Sequence, residues 1–196
     1  MTIPALALFY AGLVRKKNVL SVLMQCLVLT ALMSIIWVAC GYTLAFGTSE
    51  SEALNRYIGD WEAVMMTGVD SSSVYVTSAE GEPASGIPTI LFAAFQMTFA
   101  IITPALMVGA FVERMKFSAV LLFSSICLVV VYVPICHMTW GGGAYSDMGV
   151  MDFAGGIVVH VTAGVGALVA CIMVGPRSGY PRELEPPHNM TMTVTG

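Results

Sequence analysis

Charged side chains are scarce in this sequence. Asp, Glu, Lys and Arg together make up only 10% of its 196 residues, whereas hydrophobic residues make up 57%. Soluble domains carry roughly 25% charged residues. The composition therefore excludes an ordinary soluble domain and indicates an integral membrane protein.

The sequence also lacks the usual motifs of catalysis and cofactor binding. It has no glycine-rich phosphate loop, no cluster of metal ligands and no nucleophile motif. Its five cysteines lie in apolar runs without a Cys-x-x-Cys pair, a pattern more typical of small buried side chains than of disulfides or metal ligands. We therefore expect no metal ion, no cofactor and no enzymatic activity.

Long uncharged runs are what the chain does contain. A helix of about 20 apolar residues spans the hydrocarbon core of a bilayer. The first run is short, and it is a poor signal peptide because its basic residues follow the apolar stretch; we interpret it as the remainder of a truncated helix. The sequence thus predicts an all-α, polytopic transmembrane helical bundle. The predicted helices are residues 1–14, 19–46, 88–112, 117–138 and 153–175.

The basic residues predict the orientation of these helices. Seven of the eight Lys and Arg residues lie in the loops at 15–18, 113–117 and 176–189, which are alternate connections on one face. The positive-inside rule makes that face cytoplasmic and places the N-terminus outside. The loop at 47–87 has one basic residue, Arg56, against seven acidic ones, so we expect it to be external. Its polar composition predicts poor order.

His160 is an unusual residue for its surroundings. It lies in a stretch, residues 153–176, without a single Asp, Glu, Lys or Arg. Asp152, Gly156, His160 and Gly164 recur every four residues and so share one helix face. An ionisable group at membrane depth is costly, so its default interpretation is a functional one, in a pathway through the membrane. The alternative is a core histidine bonded to a neighbouring helix.

Aromatic residues suggest a second feature. Phe92, Phe95 and Phe99 recur at helical spacing in the third helix, and Trp140 follows the fourth. An aromatic cage can attract a small cation through its ring faces, by about 0.5–2 kcal/mol per contact. Such a stripe also fits lipid-facing or core packing, and Trp140 alone fits an interfacial belt residue. Spacing does not decide between these interpretations.

The remaining polar candidates have simpler interpretations. Asp152 precedes a helix and fits an N-cap; the alternative is a carboxylate that supports an external cation site. His137 and His188 fit structural or solvated roles. Glu113 fits a local charge pair with Arg114.

Several strings together resemble the ammonium transporter (Amt/Mep/Rh) family, closest to its Amt branch. They include HMTWGGG at 137–143 and DFAGGIVVH at 152–160. The resemblance covers almost the whole chain apart from the external loop. The other matching strings are residues 4–18, 41–47, 95–103 and 109–118.

The resemblance implies roles for particular positions. Phe99 and Trp140 correspond to residues of the external ammonium site, and Phe95 to one of two rings that block the pore. Asp152 corresponds to an aspartate that supports the site, and His160 to the first of a hydrogen-bonded histidine pair in the lumen. The partner histidine, the second gate phenylalanine and a site serine correspond to positions outside this sequence.

The resemblance also implies an architecture and partners. Such proteins have eleven helices in two inverted halves, so residues 1–196 represent a partial domain with about the first five. We expect a homotrimer in the cell membrane, contacts with lipid, and a PII-type cytoplasmic regulator, with no nucleic-acid partner. Ala11 stands where many members have glycine, and Val161 and Thr162 where Ile-Asn is common; neither change removes a pore residue.

The function hypothesis follows from this chemistry. Ammonium, ammonia and methylammonium are the expected substrates. Ammonium can give up a proton and cross as ammonia, whereas potassium cannot, and a neutral imidazole at His160 can accept or donate a hydrogen bond and relay the proton. The alternatives are an ammonium sensor of the same fold, which a fused signalling domain would favour, and a non-conducting truncated fragment.

Overall fold

The apolar runs form long helices in a computed structural model that describes residues 2–70, 72–77, 85–183 and 186–196. Within the described residues, four helices are long and apolar enough to cross a membrane. They are Lys16–Phe46, Thr89–Phe111, Phe117–Asp147 and Gly156–Val174. Because a helix satisfies its own backbone polar groups, it is the structure that such runs adopt in lipid. The predicted helical-bundle class is confirmed. Residue 1 and parts of two predicted loops (residues 71, 78–84 and 184–185) lie outside the described residues.

Eight helices, two short 3-10 turns (Lys16–Asn18 and Val64–Met66) and one hairpin make up the described part of the fold. The first three helices are α1 (Thr2–Leu13), α2 (Val19–Ile36, continued through a π-helical turn at Trp37–Gly41 to Tyr42–Phe46) and the short α3 (Glu52–Asn55). They are followed by β1 (Val74–Thr77), β2 (Ser85–Pro88) and α4 (Thr89–Phe111). Next come α5 (Phe117–Cys127, continued through a π-helical turn at Leu128–Tyr132 to Val133–Trp140) and α6 (Ala144–Asp147). The last two are α7 (a π-helical turn at Gly156–Val161, then Thr162–Val174) and α8 (Met190–Thr195).

Helix α4 lies at the centre of the bundle, where it packs against α1, α2 and α7. The indole of Trp37 on α2 is fully buried, and its Nε1 donates to the carbonyl oxygen of Ala93 on α4 at 3.1 Å. This hydrogen bond links two spanning helices where water cannot compete. The largest buried side chains include Trp37, Tyr132, Phe111, Leu29, Met33 and Met107.

The segment predicted as a poorly ordered external loop contains regular structure, so that prediction is wrong for its described residues. Strands β1 and β2 pair antiparallel, with Val74 opposite Pro88 and Thr77 opposite Ser85. The ring of Tyr75 stacks on Phe92, with centroids 3.7 Å apart and planes 6° apart. An aromatic pair of this kind stabilises the packing beyond its buried area. The hairpin is therefore held against the N-terminal end of α4.

The predicted Glu113–Arg114 pair is wrong. Glu113 Oε1 accepts hydrogen bonds from Arg15 N (3.0 Å), Arg15 Nε (3.3 Å) and Asn18 Nδ2 (2.5 Å). Arg177 Nη1 lies 3.6 Å from Glu113 Oε2. The Arg114 guanidinium instead donates to the carbonyl oxygens of Ala110 and Gly175. Glu113 therefore connects three loops at the end of the bundle that the sequence predicts to be cytoplasmic.

Candidate functional site

Three aromatic rings form a continuous group between α4 and α5. The rings of Phe95 and Phe99 are 5.1 Å apart between centroids at 89°, and those of Phe99 and Trp140 are 5.5 Å apart at 63°. Phe95 is 57% exposed, whereas Phe99 and Trp140 are half-buried. The structure thus brings together three of the four aromatic residues that the sequence analysis singled out. Phe92 is not part of the group, because its ring is buried beneath Tyr75.

Trp140 is fixed in orientation by a hydrogen bond across the following turn. Its Nε1 donates to the carbonyl oxygen of Asp152 at 2.7 Å. The indole N–H is the one polar group of this side chain, and the bond satisfies it. The ring is thereby held edge-on to Phe99, with part of its surface accessible.

The Asp152 carboxylate caps the start of α7. Oδ1 accepts from the backbone N–H of Gly155 (2.8 Å) and Gly156 (2.7 Å), and Oδ2 accepts from Ile157 (2.8 Å) and Val158 (3.0 Å). The predicted capping interaction is confirmed, although α7 begins at Gly156, three residues later than predicted. Residues 152–155 form the intervening turn. A carboxylate at a helix N-terminus is stabilised by the free N–H groups and by the helix dipole.

The protonation of Asp152 follows from these contacts. Burial raises the pKa of the carboxyl group, but the four backbone hydrogen bonds outweigh it, so that the pKa lies below its usual value. Asp152 is therefore a carboxylate at neutral pH. Its two oxygens are directed at the backbone of α7, and its own carbonyl oxygen holds Trp140.

Gly155 makes the capping turn possible. Its φ of +83° lies in the left-handed region, and a Cβ at this position would lie 2.9 Å from Val159 Cγ2 and 3.6 Å from Trp140 Cη2. Only glycine adopts this conformation without strain. Its carbonyl oxygen accepts from the N–H of both Val159 (3.0 Å) and His160 (2.9 Å). The turn thereby passes into the π-helical segment that carries His160.

His160 lies on an exposed face of α7. Gly156 and Gly164 of the same stripe are also exposed, whereas Val158 and Val159 on the other side are buried. In the described residues, the imidazole of His160 forms no recorded hydrogen bond to a neighbouring helix. The arrangement differs from that of a satisfied core histidine and leaves the imidazole open to contacts outside this chain. Irregular π-helical turns are frequent at functional sites.

A cavity lies beside the Phe95 ring. It has a volume of about 460 Å³ and is bounded by the first turn of α1, by Thr30 of α2 and by Phe95, Thr98 and Phe99 of α4. The hydroxyl of Thr98 donates to the carbonyl oxygen of Phe95 at 2.7 Å. The wall is thus apolar apart from the hydroxyl groups of three threonines (Thr2, Thr30 and Thr98), which can also accept hydrogen bonds.

His137 is a residue whose role the sequence analysis left open, and a solvated role is excluded because its side chain is fully buried. Its Nδ1 lies 3.0 Å from the carbonyl oxygen of Ala45, and its Nε2 lies 2.7 Å from that of Asn55. Gly141 follows one turn later, where a Cβ would lie 2.2 Å from the same Ala45 oxygen. In the sequence, the signal that could have indicated this structural role of His137 was its position one turn before Trp140 and the three glycines.

Among the described residues, no group of three or more His, Cys, Asp or Glu side chains is placed so that it could hold a metal ion. The ionisable groups at this end of α7 are instead the Asp152 carboxylate, which caps the helix, and the exposed imidazole of His160. The arrangement is suited to a small cation at the rings and to proton exchange at His160.

Comparisons with known proteins are consistent across the whole chain. The model of the Ammonium Transporter Family matches residues 1–196. An ammonium transporter of Bacillus subtilis is 44% identical over 195 residues, which are 98% of this chain and 44% of that protein. Ammonium transporter 1 of Dictyostelium discoideum is 39% identical over 197 residues, covering 98% of this chain and 40% of that protein.

Solved structures have the same fold. The crystal structure of Saccharomyces cerevisiae Mep2 matches with a TM-score of 0.80 and 33% identity, covering 98% of this chain and 41% of that one. A structure described as a sensor Amt protein matches with a TM-score of 0.82 at 24% identity, which shows the fold alone. The chain spans less than half the length of these relatives.

Proposed function

Because this chain belongs to the ammonium transporter family, we propose that the protein carrying it moves ammonium across a cell membrane. The observation that supports this proposal most directly is the contact of Phe99 with Trp140, 5.5 Å between ring centroids, which joins two spanning helices in one aromatic surface. The relatives named above are transporters, which favours transport over catalysis.

The aromatic pair is the proposed entry site. A cation over the face of Trp140 or Phe99 gains about 0.5–2 kcal/mol per ring, depending on how far it is desolvated. Ammonium and methylammonium fit this chemistry, since both are small cations with an N–H donor. Asp152 contributes indirectly, because its carbonyl oxygen fixes the indole and its carboxylate fixes the turn.

Phe95 is the proposed gate below this site. Its ring lies edge-on to Phe99 and is accessible on its other side, next to the cavity of about 460 Å³. A potassium ion that passed an aromatic gate would lose its hydration shell, and nothing in an apolar lumen would replace it. Ammonium avoids this penalty by transferring one proton to a base, either water at the entry site or the neutral imidazole of His160, and continuing as neutral ammonia.

His160 is the proposed lumen residue. A neutral imidazole offers one donor and one acceptor, so it can bind ammonia at one nitrogen and pass a proton through the other. Its exposed face, together with Gly156 and Gly164, leaves room for a second histidine supplied from outside this chain. For the whole protein we further propose a homotrimer in contact with membrane lipid, a PII-type regulator, and the orientation with loops 15–18, 113–117 and 176–189 in the cytoplasm.

The test is uptake of labelled methylammonium by cells that lack their own ammonium transport. Cells expressing the protein that carries this chain are expected to accumulate the label, and His160→Ala is expected to lose uptake or ion selectivity. His188→Ala is the matched control, because that histidine lies near the opposite end of the bundle, 2.9 Å from the Val14 carbonyl oxygen. Potassium currents of similar size would refute selective ammonium transport. No uptake by folded, membrane-inserted protein would support an ammonium sensor instead.

A further inference from the structure

Two helix-end carbonyl groups at the outer end of the bundle depend on His137 for a donor. The last turn of α2 leaves the Ala45 oxygen free, because the N–H of Ser49 donates to Asn55 Oδ1 instead, at 2.8 Å. The last residue of α3 leaves the Asn55 oxygen free, because the N–H of Gly59 donates to Leu44 O at 2.7 Å. Such end carbonyls need an outside partner when they are buried.

The imidazole of His137 lies between these two acceptors. Nδ1 is 3.0 Å from Ala45 O and Nε2 is 2.7 Å from Asn55 O. A carbonyl oxygen only accepts, whereas a neutral imidazole carries a proton on one nitrogen alone. A neutral ring would therefore turn a lone pair toward one of the carbonyl oxygens, and only the imidazolium donates to both.

The surroundings favour a positive charge at this point. His137 lies in the last turn of α5, and Ala45 lies in the last turn of the long helix α2, so the negative ends of two helix dipoles meet at the ring. No ion pair within 4.0 Å is recorded for His137 in the described residues. Burial by itself disfavours a charged ring, so the two carbonyl groups and the two helix ends are the features that offset this cost.

Several other ionisable groups lie on His137's own helix and on the elements that pack around it, and no ion pair of any of them with His137 is found within the described residues. Asp152 caps α7, and Asp60 Oδ1 accepts from Thr43 Oγ1 at 3.2 Å. Tyr132 and Cys136 come from the same helix as His137 and are buried. The others are Tyr42 at the end of α2, and Glu52, Arg56 and Asp147, which line a polar cavity beside Asn55.

We propose that His137 is a positioning residue that is held as an imidazolium, ties α2 and α3 to the end of α5, and thereby sets the position of Trp140. Trp140 follows His137 by one helical turn, and its indole is already fixed at the other side by Asp152. The link to Trp140 as a cation site rests on the function proposed above. The charge state of His137 does not.

The first experiment measures the charge state directly. The protein is labelled with ¹⁵N-histidine and studied in lipid bilayers by solid-state NMR at pH 7. Both nitrogens of His137 are expected to carry protons, and a signal from an unprotonated nitrogen would overturn the proposal. The His137 signal is identified by its loss in His137→Gln or, if that variant does not fold, by its proximity to the labelled carbonyl carbon of Ala45.

The second experiment tests the positioning role by measuring methylammonium uptake as a function of its concentration at pH 7. His137→Gln is expected to raise the half-saturation concentration on the order of tenfold, because a charged hydrogen-bonding group is lost, with a smaller change in maximal rate. His188→Gln is the control, because the His188 imidazole lies beside the carbonyl oxygen of Val14 and a single N–H group can donate to it.

The two proposals fail in different ways. Absence of uptake by the folded wild type refutes the transport function, while the NMR spectrum still reports the charge on His137. Normal uptake with a neutral His137 ring refutes the imidazolium alone. If His137 is an imidazolium but its replacement leaves the half-saturation concentration unchanged, the positioning role is refuted.

Discussion

Replacing Asp152 by Asn is expected to destabilise the turn that carries Trp140. The carboxylate accepts four backbone N–H bonds from residues 155–158, at 2.7 to 3.0 Å. An amide turns its NH₂ group toward two of these donors, so two of the four bonds are lost. Hydrogen bonds to a charged group contribute about 1.5–3 kcal/mol each. Because Asp152 is partly exposed and water replaces part of the loss, we expect a net destabilisation of about 2 kcal/mol.

Thermal unfolding in detergent measures this difference, with Asp147→Asn as the control because that carboxylate is exposed on the neighbouring helix α6. The pKa of Asp152 is lower in the folded protein than in the unfolded chain, although burial alone raises it. Its stabilisation is therefore complete above the unfolded pKa and is lost as the pH falls through the folded one. The two proteins are expected to converge in stability in acid. Equal stability at neutral pH, or a difference that persists in acid, would refute the capping argument.

Three further predictions concern single residues. Gly155→Ala is expected to lower stability by at least about 1 kcal/mol, because φ is +83° and the new methyl group would meet Val159. The control is Gly164→Ala, because Gly164 has open space around it. Equal losses of stability in the two variants would contradict the argument. Glu113→Gln is expected to lower the midpoint of thermal unfolding at neutral pH but not in acid. Burial raises the pKa of Glu113, but the hydrogen bonds from Asn18 and Arg15 outweigh it and hold the pKa below its usual value. A loss of stability that did not depend on pH would exclude an ionic role. Trp140→Leu is expected to raise the half-saturation concentration for methylammonium about 2- to 30-fold, and an unchanged value in a folded variant would remove this ring from the site.

The membrane-spanning character of the chain could be predicted from the sequence because it depends on local composition. A run such as 19–46 contains no charge, and no tertiary contact is needed to predict that it forms a helix in lipid. The neighbouring positions of Phe95 and Phe99 were equally predictable, since residues four apart share a helix face. The capping role of Asp152 followed from its place just before the predicted helix at 153–175.

Contacts between distant segments could not be predicted in the same way. Glu113 was expected to pair with its neighbour Arg114, but it contacts Arg15 and Arg177, because the ends of three spanning helices converge there. Phe92 shares the helical spacing of Phe95, yet its ring belongs to the core because the hairpin covers it with Tyr75. The segment predicted to be external was expected to be poorly ordered from its polar composition, but the ring of Tyr75 packs against both Phe46 and Phe92 and holds the hairpin in place.

The chain's class, its spanning segments and its likeness to a family were therefore determined by the sequence itself, since each depends on residues that are close together along the chain. The tertiary structure decided which partners those residues have. Trp140 lies 5.5 Å from Phe99, and His137 lies between Ala45 and Asn55, because the packing of α2, α4 and α5 sets the distances between their faces. Those distances depend on helix crossing and register, which no local pattern encodes.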